Sequence, residues 1–427
     1  MKKINNFYLI PITILIITIY VSDFIPKINR FEDELIALTS HIFFITDFEF
    51  KAPYLVDDLI FTPTLTTGFN TSIGGAIGWI VFKDFYFSRL FNFIWLILEI
   101  SLFNIYLYKN KFINIKFIYF SILGLFCIPL WYNSLYGLGE ILSSILFFNS
   151  LLIYEKNPKL SMFMMSVSIF FGKFIIFLSF IVFVAINLRK QNLKSFLHFL
   201  LPPFIWYFVI FLKTGFNGLL DYVNKFLSFL FFHGLLKSSS SSNFFEASID
   251  NISKSEIAEW SYATIIRVGI VPIIFSLYLL IKYLLKKNSK IDLSVSVIII
   301  TNYLYFYLIS YQKYLRYSQI FLVITIYYLL FLLSNEESIP NIEKVIYILL
   351  LSMFLSNEIL ILFLILNSIL SYRKKSKYIS LIIFLCLNII NLHYESRYEL
   401  KNNLEINECK KNISSIECIK NYLPYEY

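Results

Sequence analysis

The sequence predicts an all-α polytopic membrane protein, a transmembrane bundle of about 11–13 spans with amphipathic helices on its external side. The 427 residues are 58% hydrophobic and only 15% charged, with a mean hydropathy of +0.69. Apolar runs of about 18 residues or more recur along the whole length, and a helix of that length crosses the hydrocarbon core of a bilayer. The runs are continuous, whereas a transmembrane β-barrel would show short segments of alternating polarity. The formal net charge is +9, but the Lys and Arg gather at the ends of apolar runs. That is the positive-inside pattern of a membrane protein and no nucleic-acid signature.

Taken in order, Lys2 and Lys3 hold the N-terminus inside, and residues 7–22 form a first, retained span. A cleaved leader is the poorer reading, because "TIYVSDF" is bulky where cleavage needs small residues. Residues 23–82 are external. Up to Asn70 they carry Asp23, Glu32, Asp33, Glu34, Asp47, Glu49, Asp57 and Asp58 against Lys27, Arg30 and Lys51. The apolar stretch 70–82 is too short to cross and lies at the interface. Residues 90–108 span inward to the "KNK" of Lys109–Lys111, 113–131 return outward, and 138–154 go back in. The long run 160–186 is interrupted at Gly172-Lys173, which makes it two short helices with the lysine at their outer junction.

Residues 196–212 rise to a second external segment, 214–261, which holds an amphipathic stretch at 219–236 and a flexible serine run at 238–242. Spans follow at 262–285, 293–311 and 320–333, an up-and-down pair at 343–370, and a last span at 378–392. The membrane domain is thus 1–392, and residues 393–427 form a short external tail. Cys127 and Cys386 lie inside apolar runs and read as packing residues. Cys409 and Cys418 share the tail, where a disulfide and two free thiols are both open.

Three groups of ionisable residues stand out. Glu32, Asp33 and Glu34 sit at the external mouth of the first span. Glu140 falls in the first turns of an inward-going span, where a carboxylate costs about 2.5–3.5 kcal/mol unless it faces a polar cavity. Lys173, Arg267, Lys313 and Arg316 are external cations. Such cations can hold a phosphate and stabilise charge on a leaving group, and a carboxylate can take the proton of an acceptor hydroxyl. These residues alone reach an external site for a phospholipid-like ligand.

Plainer readings stand beside that one. The acidic loop is solvated surface, Glu140 a helix end at headgroup level, and Arg316 an interface anchor that snorkels. Lys83 and Arg89 flank a short turn and read as positional. His41, His198, His233 and His393 show no metal-ligand spacing, and the glycosylation sequons at Asn70, Asn251 and Asn412 are short enough to arise by chance.

The order of motifs resembles the GT-C superfamily of polytopic glycosyltransferases. The likeness is to its bacterial branch, similar to dolichyl-phosphate-mannose protein mannosyltransferases and the lipid A aminoarabinose transferase. It is carried by "EDELIAL" after the first span, "TTGFNTSIGGAIGWIVFKDFYFSRL" at 66–90, "YGLGEILSSILFFNSLLIY" at 136–154, "FGKFIIFL" at 171–178 and "LRYSQ" at 315–319. Phe69 stands where the family has a proline, and the proline usual after the "RY" element is missing.

The resemblance implies an inverting hexosyl- or pentosyltransferase that uses a polyprenyl-phosphate sugar donor and a glycan, lipid or protein acceptor. It implies a bacterial inner membrane with the active site facing the periplasm or exterior. Asp33 would be the acid that meets the acceptor, with Glu34 beside it, and Glu140 the second acid of the cavity. Lys173 and Arg316 would hold the donor phosphate, with Lys313 and Arg267 as accompanying cations. A divalent metal near Asp33 is left open. The rival readings are an O-antigen polymerase or ligase and a lipid-linked glycan transporter. The first relies on arginines in a large late external loop, and segment 214–261 holds none; the second predicts paired repeats and midplane charges, and the ionisable groups here crowd one face.

Overall fold

A computed structural model describes residues 32–48, 73–127, 130, 139–172, 174–187, 193–230, 265–285, 290–309, 318–335 and 340–355. Among them all regular structure is helical, and they fall into two compact units. Four helices are long and apolar enough to cross a membrane: Tyr86–Lys109, Lys194–Asn224, Ile265–Leu284 and Lys290–Leu308. Six shorter apolar helices accompany them. The proposed first span, the last spans and the tail with Cys409 and Cys418 lie outside the described residues.

The first unit contains α1 (Glu32–Asp47), α2 (Ile73–Phe82), α3 (Phe85–Lys109) and α4 (Ile115–Gly124). Leu38 and Ile42, one turn apart on α1, pack against Ala76 and Trp79 of α2. His41 is buried on the same helix. The α2–α3 seam is built on small residues. A Cβ at Gly74 would stand 2.5 Å from the Phe91 carbonyl oxygen, and one at Gly78 would stand 2.6 Å from that of Phe87. Glycine lets the two backbones approach this closely. The Gly75 amide, one of the orphan donors of the α2 N-terminus, donates to Asn92 Oδ1 at 2.7 Å.

Asp84 caps α3 by accepting from the Tyr86 amide, and Asn114 caps α4 by accepting from that of Phe117. Asn104 Nδ2 donates to Ser121 Oγ at 2.7 Å, tying α3 to α4. The span expected at 113–131 is much shorter as regular helix. Beyond Gly124 the amides of Leu125 and Phe126 bond three residues back, to Ile122 and Leu123, so the chain tightens into turns.

The second unit contains α5 (Glu140–Ile153), α6 (Pro158–Phe170), α7 (Phe177–Asn187), α8 (Leu193–Leu230), α9 (Val271–Leu284), α10 (Lys290–Leu304), α11 (Gln319–Ser334) and α12 (Asn341–Ser352). Its axis is α11. Every residue from Gln319 to Leu330 is buried, and α5, α9, α10 and α12 pack around it. A helix apolar on all sides has no face for water, so it takes the centre. The break expected at Gly172-Lys173 falls between α6 and a single 3-10 turn, Phe174–Ile176, that leads into α7.

At the periphery, α8 packs on α6 and exposes Leu197, Leu200, Leu201, Phe204, Ile205, Phe208, Phe211 and Leu212, a surface suited to lipid. The loop expected from 214 onward is helical at its start: α8 kinks at Gly215 and continues to Leu230.

Polar side chains stitch the apolar helices of this unit together, as they do in bilayer-embedded bundles. Asn302 Nδ2 donates to Ser179 Oγ at 2.8 Å, Asn187 Nδ2 to Ser294 Oγ at 3.5 Å, and Ser296 Oγ to the Ser276 carbonyl at 2.7 Å. The Tyr328 hydroxyl donates to buried Asp292, and Lys282 pairs with Glu343.

Candidate functional site

Hydrogen bonds and ring contacts fix the helix directions in the second unit. Ser161 donates to the Ser150 carbonyl and Gly172 abuts Ser143, so α6 runs antiparallel to α5. Asn302 meets Ser179 and Asn187 meets Ser294, so α7 runs antiparallel to α10. Tyr303 meets Phe321 while Asp292 meets Tyr328, so α11 also opposes α10. Gly269 faces the Tyr307 hydroxyl while Ser276 meets Ser296, which gives α9 the same sense. Ser143, early in α5, meets Gly172 ahead of α7, and Tyr154, just past the end of α5, meets Phe183 in the second half of α7 at 4.8 Å, so α5 runs with α7. Helices α5, α9 and α11 are therefore parallel and begin at one end of the unit.

That end carries the charged and polar residues. Glu140 is the first residue of α5 and is 1% exposed; Gln319 is the first of α11 and fully buried. Arg267 lies in the π-helical turn Ile265–Ile270 that leads into α9, and is 8% exposed. One aromatic layer calibrates their depth. Phe148 meets Tyr327 and Tyr328 at centroid distances of 6.3 and 6.1 Å, and Phe275 meets Tyr328 at 6.2 Å. Phe148, Tyr327 and Phe275 each come eight residues after Glu140, Gln319 and Arg267 respectively. At the helical rise, Glu140 and Gln319 stand about 12 Å above the ring layer, and Arg267, in a π-helical turn of shorter rise, stands near the same level.

Local chemistry places each of them. Gly139, at φ 87°, turns the chain into α5 in the left-handed region that disfavours a side chain, so Glu140 starts the helix. A carboxylate at a helix N-terminus gains from the amide dipoles. Arg267 Nε donates to the Met353 carbonyl at 2.7 Å, which anchors the guanidinium at the end of α12. Residues in π-helical turns often mark functional sites. A second such turn, Tyr305–Ile309, closes α10 at this same end, where the Tyr303 and Tyr307 rings meet at a tilt, their centroids 4.5 Å apart.

Of the residues expected at the site, the structure thus brings Glu140 and Arg267 to one end of one unit. Lys173, Lys313 and Arg316 lie outside the described residues. The helical backbone of α1 begins at Glu32 and includes Asp33 and Glu34, in the other unit, and their side chains are outside the described set. Gly172, next to Lys173 in the chain, packs on Ser143, one turn into α5 from Glu140. Gln319, Ser143, Tyr303 and Tyr307 belong to the same end and were not singled out by sequence. The signal for Gln319 was present: a polar residue opening the apolar run from Ile320 to Leu333. Among the described residues, no group of three His, Cys, Asp or Glu side chains is placed to hold a metal ion.

Chemically, the arrangement offers a buried acid and a buried cation at the mouth of a helical bundle. Removing either charge from water is costly unless a polar environment or a ligand compensates it. Comparison of the chain with protein-family models, with curated proteins and with solved structures gives no match.

Proposed function

We propose that this chain is a membrane glycosyltransferase of the GT-C type, transferring a sugar from a polyprenyl-phosphate donor to an acceptor at the outer face of a bacterial inner membrane. The observation that carries the reading is the near-common level of Glu140 and Arg267, both buried, at one end of a bundle with lipid-suited walls. A carboxylate and a fixed guanidinium are what phosphoryl-linked sugar transfer requires. The motif order supports it by resemblance, including the full complement of about 11–13 spans.

In this reading the donor phosphate is held by Arg267 with Lys173, Lys313 and Arg316. The acceptor hydroxyl gives its proton to a carboxylate, Asp33 by the resemblance, with Glu34 beside it. Its oxygen then forms the new bond at the anomeric carbon, with inversion. The bond from that carbon to the phosphate oxygen breaks, and the electron pair leaves on the polyprenyl phosphate, whose negative charge the cations stabilise. Glu140 orients sugar hydroxyls beside the phosphate-binding cations.

The test is transfer by the purified chain in lipid nanodiscs, supplied with a panel of radiolabelled polyprenyl-phosphate sugars, together with mass spectrometry of surface glycans from a strain lacking the gene. Loss of the carboxylate that takes the proton is expected to cost about 10²–10⁴-fold in turnover, so Asp33→Asn should be nearly inactive while folded, and Glu140→Gln, which loses only an orienting group, should be impaired less. Undiminished transfer by folded Asp33→Asn would remove the proposed base. Surface glycans identical with and without the gene, and no transfer from any donor, would remove the activity itself.

A further inference from the structure

The geometry points to a membrane-seated elbow in α8, in which the helical segment after Gly215 lies in the headgroup–acyl boundary of the bilayer, with Phe216 and Leu220 in the lipid. This inference does not depend on the glycosyltransferase reading.

The first half of α8 is a wall of the second unit. Phe180 stacks on Phe199 at 4.0 Å, and Phe171, at the end of α6, meets Trp206 at 5.6 Å. Phe180 lies seven residues before the end of α7, and Phe199 six after the start of α8. With only residues 188–192 between those two ends, α8 runs antiparallel to α7 and reaches the level of Phe171 at Trp206. It does not stop there. Eight more residues carry it to Thr214, about 12 Å further along the axis. Through this overshoot it exposes Phe208, Phe211 and Leu212. Such a surface is tolerated where acyl chains cover it.

At Gly215 the backbone takes φ 71° and ψ −174°, and the chain turns. The turn is closed by a hydrogen bond, since Trp206 Nε1 donates to the Tyr222 hydroxyl at 2.9 Å, and by the edge-on packing of Tyr207 and Tyr222. Tryptophan and tyrosine gather where membrane meets water. Lys213, exposed beside the elbow, has the reach to place its ammonium among headgroups.

The segment beyond the elbow is two-faced. At 100° per residue, Phe216, Leu220 and Val223 fall within a sector of about 60°, and Asn217, Asp221 and Asn224 fill another of similar width, about 100° away. Phe216 is 62% and Leu220 46% exposed, and Asn217, Asp221 and Asn224 are exposed as well. Phe216 and Leu220 are therefore bare, with Val223 half-buried beside them, and they continue the bare apolar surface of the span from which the segment springs. A helix with one apolar and one polar face, attached by its own chain to a lipid-facing span, settles parallel to the interface.

The measurement is site-directed spin labelling in nanodiscs, with single cysteines at positions 216, 217, 220, 221 and 224 in a background with Cys127, Cys386, Cys409 and Cys418 replaced by alanine. Labels at 216 and 220 are expected to be reached by oxygen and lost to the aqueous nickel complex, with the reverse at 217, 221 and 224. Water accessibility at all five positions overturns the proposal. So does shielding of 216 and 220 from both reagents, which would mean that protein covers them, either another part of the chain or a second copy. Should that background fail to fold, the wild-type chain in nanodiscs with a diazirine-bearing phospholipid gives the same decision. Lipid adducts are expected on the peptide holding Phe216 and Leu220. Adducts on Phe204–Leu212 with none on that peptide would overturn the elbow's seating.

Discussion

At Gly172 an added Cβ would stand 2.0 Å from Ser143 Oγ and 2.2 Å from the Ser168 carbonyl oxygen. The serine side chain can rotate away, but the carbonyl belongs to the backbone that ends α6. Gly172→Ala is therefore expected to destabilise the second unit by about 1–3 kcal/mol, and Ser143→Gly in the same chain should restore only a minor part. Thermal denaturation in detergent measures both; full recovery in the double variant would place the whole conflict at Ser143. A second residue-scale expectation concerns Tyr328, whose hydroxyl donates to Asp292 inside the bundle. Tyr328→Phe keeps the ring contacts with Phe148 and Phe275 but withdraws that donor from a buried carboxylate, at a cost of about 1–3 kcal/mol. A melting temperature unchanged from that of the native chain would show that other groups already satisfy Asp292. Sequence alone marked Gly172-Lys173 as a break, because glycine and lysine interrupt an apolar run. It did not mark Ser143 as the partner, since contact between helices is set by packing and leaves no trace in local periodicity.

Helices repeat the pattern at the next scale. The α2–α3 seam tolerates nothing larger than glycine at positions 74 and 78, where backbone carbonyls of α3 fill the space a side chain would need. Gly78→Leu should separate the two helices and expose the Gly75 amide that Asn92 now satisfies. Faster amide hydrogen exchange at Gly75 in that variant, with α8–α12 unaffected, is the expected readout. Equal exchange would mean that α2 simply slides. The α8 elbow makes the opposite demand. A Cβ at Gly215 would meet nothing within 4 Å, so the glycine is there for its φ of 71° alone. Gly215→Ala and Gly215→Val should then cost alike, each about 1–3 kcal/mol, because φ 71° with ψ −174° is a region essentially confined to glycine, and thermal denaturation can read both. A steric site would rank the two variants by size. Most helices of the second unit begin and end within a few residues of the sequence-based bounds, because apolar runs and their charged ends dominate those boundaries. The exception there is α8, which runs on past the expected end of its span at 212 and kinks only at Gly215; in the first unit, the span expected at 113–131 tightens into turns at Leu125 and Phe126.

For the whole molecule, hydropathy requires that the chain stay with membranes after alkaline carbonate washing, and release into the supernatant would contradict the spanning assignment. The charge distribution adds a direction. If the positive-inside expectation holds, with Lys2 and Lys3 inside and the tail outside, protease added to intact cells after outer-membrane permeabilisation should remove a tag at the C-terminus and spare one at the N-terminus. The reverse result would turn the bundle over and put the Glu140 end on the inside. What the sequence determined by itself is the helical class, the lipid environment, most helix positions and the suspicion that fell on Glu140 and Arg267. Each of these depends on composition or on spacing along one helix, where neighbours in sequence are neighbours in space. Only the tertiary structure decided that α11 is the axis, that α5, α9 and α11 run parallel, and that Glu140, Arg267 and Gln319 stand near one level above the Phe148–Tyr328 rings. That outcome depends on which apolar faces interlock, and residues more than a hundred positions apart, as Asn187 and Ser294 are, meet only after the helices have packed.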